Sequence, residues 1–251
     1  MMGQKISSGN QIFILLLLIV GGLVFLGPLL YVIFLSITVA IPDDIEQLNS
    51  SAPLYSYASA FFGLFGMFLM AFLFFLRITK QKAKEIILSA KFQWKLLAIS
   101  LATLVVLWSA VDLLYFINKA ALDLIPNNGF QELEIELNER YKLLFSSENL
   151  GYYPLALFVF AVVPAIVEEL VFRGLLLKKL KEVSGNAHFG VIVSSLMFAA
   201  FHLQPWNLLP MTALAMAFGY LYLYTKDIRY SIILHFLYNA IQMTLMFYFP
   251  S

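Results

Sequence analysis

The chain has 251 residues, 61% of them hydrophobic and only 12% charged, with a formal net charge of +1. A soluble domain averages about 45–50% apolar and about 25% charged residues, so this composition excludes a soluble globule and a disordered chain. The near-zero net charge offers no field for nucleic acid, and the lack of cysteine excludes disulfides, thiolate metal sites and a cysteine nucleophile.

Seven apolar segments follow one another. They are Ile12–Ala40, Leu54–Leu76, Leu96–Ile117, Tyr152–Leu177, Phe189–Trp206, Leu208–Tyr224 and Tyr230–Phe249. Most reach the roughly 18 residues that a membrane span needs. The first is too long for a signal-peptide core and has no small-residue cleavage site after it. Lipid leaves irregular backbone unsatisfied, and the alternation of a membrane barrel is absent, so each segment is expected to be helical. The expected fold is all-α, a polytopic transmembrane helical bundle of about seven spans. Two parts are expected: 1–151, with three spans and an acidic extracytoplasmic loop, and 152–251, a core of four spans.

The loops orient the chain. Lys5, then Arg77, Lys80, Lys82, Lys84, Lys91 and Lys95, then Lys178, Lys179 and Lys181, then Lys226 and Arg229 place twelve basic residues on one side. The other side has Lys119, Arg140 and Lys142 among the acids Asp43, Asp44, Glu46, Asp123, Glu132, Glu134, Glu136, Glu139 and Glu148. The positive-inside rule puts the N-terminus in the cytoplasm. In the long loop 118–151, Leu133, Leu137, Tyr141 and Leu144 recur at helical spacing, which predicts an amphipathic helix on the membrane surface.

Several side chains do not belong in lipid. Glu168, Glu169 and Arg173 interrupt the fourth segment, His202 lies in the fifth, and His235 and Asn239 lie in the seventh. An ionisable group at the bilayer centre costs roughly 2.5–3.5 kcal/mol on insertion scales. One intramembrane His or Asn alone is as readily a helix–helix hydrogen bond of about 0.6–2 kcal/mol. Packing does not call for two carboxylates, two imidazoles, a guanidinium and a carboxamide within three helices. At about 1.5 Å of rise per residue, all six fall in the cytoplasmic half of the bilayer or near its midplane.

Spacing gives them roles. Glu169 and Arg173 are i, i+4 and can pair on one face, while Glu168 points about 100° away. Two carboxylates in different environments can separate acid from base duties. His235 and Asn239, also i, i+4, present two donors to one point, which suits a developing oxyanion. Phe198 and His202 share that spacing. No HExxH, GxGD or GxSxG pattern offers a competing protease chemistry. Ser194 and Ser195 are expected to be small interface residues, and His188 a solvated one. Pro164 and Gly174 bracket the carboxylates, but no second half mirrors them as a transporter repeat would.

Glu168-Glu169-Leu-Val-Phe-Arg173-Gly174 fits EExxxR(G), Phe198-Ala-Ala-Phe-His202 fits FxxxH, and His235-Phe-Leu-Tyr-Asn239 fits HxxxN. In this order they resemble the CAAX-protease and bacteriocin-processing (CPBP, or Abi) family of intramembrane glutamic endopeptidases, over about residues 152–248. The resemblance implies that Glu168 and His202 activate water, that His235 and Asn239 hold the oxyanion, and that Glu169 and Arg173 form a supporting pair. It implies hydrolysis of a membrane-associated, prenylated or precursor peptide. The other reading is a non-proteolytic immunity, scaffold or binding protein of the same ancestry. No cofactor is expected. A divalent metal stays open, with Glu168, His202 and His235 as its ligands if one is used. The expected partners are a peptide or membrane-protein substrate and the lipid bilayer, with no nucleic acid. The expected location is the cytoplasmic membrane of a prokaryote.

Overall fold

A computed structural model describes residues 6–38, 53–87, 91–126, 129–145 and 147–249. Lys5, Asp43, Asp44 and Glu46 of the charge map lie outside them. Each of the seven apolar segments forms helix within its described residues, and the described residues include no strand. The helices are α1 (Ser8–Thr38), α2 (Pro53–Thr79), α3 (Trp94–Asp123), α4 (Phe130–Leu144), α5 (Leu150–Ser184), α6 (Ala187–Phe201), α7 (Leu208–Thr225) and α8 (Ile228–Tyr248). A five-residue helix, Ala83–Ile87, lies between α2 and α3.

Among the described residues six helices are long and apolar enough to cross a membrane, and the protein is an integral membrane protein. The exception is α6, whose 15 residues rise about 22 Å against about 30 Å of hydrocarbon. The sequence carries this apolar segment to Trp206, but the helix stops at Phe201. Leu203 turns left-handed at φ 54°, and Pro205 then opens a short 3₁₀ turn, Pro205–Asn207. Proline cannot donate the N–H that a continuing helix would need.

The chain forms two compact units. One holds Met1–Lys82, Arg140–Val171 and Phe236–Ser251, and the other holds Ala83–Glu139 and Phe172–His235. The chain leaves the first unit after Lys82 and returns inside α4, then leaves again inside α5 and returns inside α8.

In the first unit α1 and α2 run antiparallel, the start of one beside the end of the other. Their backbones touch where glycines meet. A Cβ on Gly22 would overlap the Gly66 carbonyl, and one on Gly66 would strike the Gly27 backbone. Each helix widens at this contact into a π-helical turn, Gly22–Leu26 in α1 and Phe65–Met70 in α2. Away from it, Tyr57 is fully buried among Phe145, Phe160 and Val159, and its hydroxyl donates to the Leu144 carbonyl at 2.7 Å. That bond satisfies a carbonyl at the end of α4, which would otherwise lack a helical partner.

In the second unit α6 packs against α7 and against the end of α5. Gly185, at φ 68°, ends α5, and the Asn186 side chain caps α6 by accepting from the His188 and Phe189 amides. Gly190 lets α6 approach the Leu177 carbonyl, where a Cβ would sit at 3.0 Å. His188 is exposed, as expected, but its Nδ1 lies 3.0 Å from the Tyr220 hydroxyl. Ser194 and Ser195 are buried in the packing. Ahead of α8, buried Asp227 holds Arg229 through two guanidinium nitrogens, Nε at 2.9 Å and Nη2 at 2.6 Å. The Arg229 guanidinium also lies over the Phe92 ring, which stacks on Tyr230.

The surface helix expected in the loop is α4, whose partly buried face carries Leu137, Tyr141 and Leu144. Leu133 is exposed, and Glu134 is buried instead. Lys119 pairs with Glu134 at 2.8 Å, and the Tyr115 hydroxyl donates to its other oxygen. A buried carboxylate is held by a cation and a hydrogen bond, so the polar side chain takes the inner position from a leucine.

Candidate active site

Three of the six sequence-derived residues belong to the first unit. Glu168 and Glu169 lie on the α-helical turn before the unit boundary in α5, at 4% and 0% exposure. Asn239 lies half-buried on α8. Carboxylates are almost never so buried unless paired, so their seclusion is a functional signal in its own right.

The other three come together in the second unit around two phenylalanine rings. Arg173 is buried, its Nη2 donates to the Ala215 carbonyl at 2.9 Å, and its guanidinium lies 5.0 Å from the Phe198 ring and 5.7 Å from the Phe218 ring. The Phe198 ring sits 4.7 Å from the His202 ring and 5.8 Å from the His235 ring. Phe218 is 5.8 Å from His235. Cation–π contacts of about 2 kcal/mol when desolvated help hold a charge that lipid rejects. The π-helical turn Phe172–Leu176 carries Arg173 itself. Such turns are rare and recur at functional sites, because the extra residue re-aims a side chain.

His202 caps the end of α6, where the sequence reading expects the helix to continue to Trp206. Its Nδ1 lies 2.8 Å from the Phe198 carbonyl one turn back. A carbonyl can only accept, so Nδ1 carries the proton in that bond. In the neutral ring Nε2 then has a free lone pair and accepts. An imidazole held this way can align a water molecule. Helix ends leave their last carbonyls open, so the same bond also satisfies part of the end of α6.

His235 and Asn239 keep the spacing read from the sequence, one turn apart on continuous helix, with His235 buried and Asn239 more open. No group of three His, Cys, Asp or Glu side chains among the described residues could hold a metal ion. Sequence reasoning missed the Ala215 carbonyl and Phe218. A backbone acceptor leaves no trace in sequence, and Phe218 is one of 24 phenylalanines.

Residues 150–241 match the family described as Type II CAAX prenyl endopeptidase Rce1-like. The match covers little more than a third of the chain. All six candidate residues lie within it. Over 87 residues the chain is also 35% identical to a Bacillus subtilis (strain 168) protein named "Putative membrane peptidase YdiL". That stretch is 35% of this chain and 35% of the relative, so about a third of each is compared. No solved structure matches the chain. The matching stretch starts at the first residue of α5 and runs into α8, so α1, α2 and α3 lie outside it.

Proposed function

We propose that this protein is an intramembrane endopeptidase whose Rce1-like domain hydrolyses a peptide bond of a membrane-associated peptide, prenylated or precursor. The observation that carries the reading is the Rce1-like match over residues 150–241, which encloses all six polar residues in motif order. The burial of Glu168 and the accepting Nε2 of His202 support it.

Glu168 takes a proton from water that His202 Nε2 aligns, and the hydroxide attacks the scissile carbonyl carbon. The carbonyl electrons move onto oxygen, where His235 and Asn239 donate to the oxyanion. Collapse breaks the C–N bond, and the proton held by Glu168 passes to the departing nitrogen. Glu169 and Arg173 support the site, and Arg173 is anchored by the Ala215 carbonyl. The site opens to the cytosol of a prokaryotic cell, an orientation that rests on the uneven split of basic residues.

The test is peptide hydrolysis by purified protein and by Glu168→Ala, each with and without a chelator. Cleavage by the wild type alone, unchanged by chelator, is the expected result. Loss of cleavage with chelator would replace the metal-free step by one that uses a metal. Equal cleavage by both proteins would sink the glutamate mechanism.

A further inference from the structure

Asn118 belongs to α3, outside the Rce1-like residues, yet it reaches the turn that follows His202. Its side chain is 6% exposed. Nδ2 donates to the Pro205 carbonyl at 2.8 Å, and Oδ1 accepts from the Leu209 amide at 2.9 Å. Pro205 opens the 3₁₀ turn Pro205–Asn207, and Leu209 lies just beyond it. The Leu209 amide is one of the first N–H groups of α7, which have no partner within the helix. One carboxamide therefore caps α7 and grips the turn that leads into it.

The turn needs such a grip. His202 is three residues before Pro205, and Leu203 between them is left-handed at φ 54°. Leucine does not hold that conformation by itself, so the surroundings impose it. Gln204 and Asn207 bond to each other across the turn, which ties it to itself. Asn118 ties it to a separate helix.

The structure assigns Asn118 the task of positioning His202. By fixing the Pro205 carbonyl it holds the left-handed turn, and so keeps His202 Nδ1 on the Phe198 carbonyl with Nε2 free to accept. Asn118 touches no reacting atom. This role rests on the proteolytic reading, but the geometry it sets can be measured without any substrate.

The chain has three histidines, so ¹⁵N-histidine spectra of the full-length protein in nanodiscs can be read residue by residue. The His202 signal is assigned by its loss in His202→Gln. In the wild type His202 shows the Nδ1–H tautomer. Two variants separate the bonds: Asn118→Leu removes both, and Asn118→Asp keeps the acceptor for Leu209 but cannot donate to Pro205. Both are expected to shift His202 away from the Nδ1–H form while the His188 and His235 signals stay in place. Both are expected to lower kcat by about 10–10²-fold with little change in KM, the usual loss from a small misplacement. An unshifted His202 with unchanged kcat overturns the role. So does Asn118→Asp behaving as wild type, because the Pro205 grip is then irrelevant. Loss of all three histidine signals in both variants overturns it too, since Asn118 is then a general support of the fold. If the tautomer shifts as expected but the wild type cleaves nothing, the positioning stands and the proteolytic reading fails.

Discussion

Helices α1 and α5 invert the rule of soluble proteins. The most apolar stretch of α1 has a mean hydropathy of 2.8 and is 22% buried, whereas that of α5 has a mean hydropathy of 2.3 and is 61% buried. No charged residue occurs in α1, while α5 carries Glu168, Glu169 and Arg173 into its buried stretch. In lipid an apolar side chain gains nothing from burial, and a charged one must leave the lipid, so the more polar helix moves inside. The two are also held differently. α1 touches α2 backbone to backbone at glycines, whereas α5 places a guanidinium on a carbonyl and two rings. The first manner suits a scaffold and the second suits chemistry. Each can be broken separately.

The largest effect is expected in α5. Glu168→Gln keeps shape and burial but cannot take a proton from water, so turnover should fall by about 10²–10⁴, the usual worth of a positioned base. Glu169→Gln should fall less, because in the proposed mechanism its carboxylate supports the site without handling the proton. Assaying both variants side by side decides the matter. If Glu169→Gln is the dead enzyme and Glu168→Gln is active, the base is the other carboxylate.

Asn239→Ala comes next. Removing one oxyanion donor lowers kcat by about 10²–10³. Asn239 is half-buried on regular helix, so the protein should stay folded and KM should hold. A raised KM with an unchanged kcat would make Asn239 a binding residue instead.

Much of this was legible from residue types. Each of the seven apolar segments forms helix within its described residues, and the six candidate residues are buried or half-buried. What was not legible is local backbone and tertiary contact. The end of α6 is set by a left-handed Leu203 that no propensity announces. Asn118 fell outside the third segment because apolar periodicity stops at Ile117, while α3 continues to Asp123. Glu134 is buried in place of Leu133 because Tyr115 and Lys119 wait on another helix, and a stripe on one helix cannot reveal its partner. The π-helical turns also lack a sequence signature, although two of them mark where glycine backbones meet.

Arg173→Met probes stability within the second unit. It removes the charged hydrogen bond to the Ala215 carbonyl and the contacts with Phe198 and Phe218. A hydrogen bond to a charged group is worth about 1.5–3 kcal/mol, so the loss should show as an earlier melting transition. Arg173→Lys should not restore it, because an ammonium cannot reproduce the planar guanidinium that lies over a ring and reaches a carbonyl at once. A lysine variant that melts with the wild type would show that charge alone matters there.

The smallest effect on catalysis is expected at Gly66, and it tests the other side of the comparison. An added methyl would press on the Gly27 backbone with no flexible side chain able to move aside. Overpacking of this kind costs typically about 1–3 kcal/mol, so Gly66→Ala should melt earlier as the α1–α2 crossing is forced apart. Gly66 lies outside the residues that match the Rce1-like family, and its contact with Gly22 and Gly27 is confined to the first unit. The folded fraction of Gly66→Ala should therefore cleave peptide with kcat and KM near those of the wild type, once activity is normalised to folded protein. Lost stability with retained turnover marks the glycine crossing as scaffold. Lost turnover with an unchanged melting transition would mean that α1 and α2 take part in the chemistry, and the division between a helix pair that supports and a helix that acts would have to be given up.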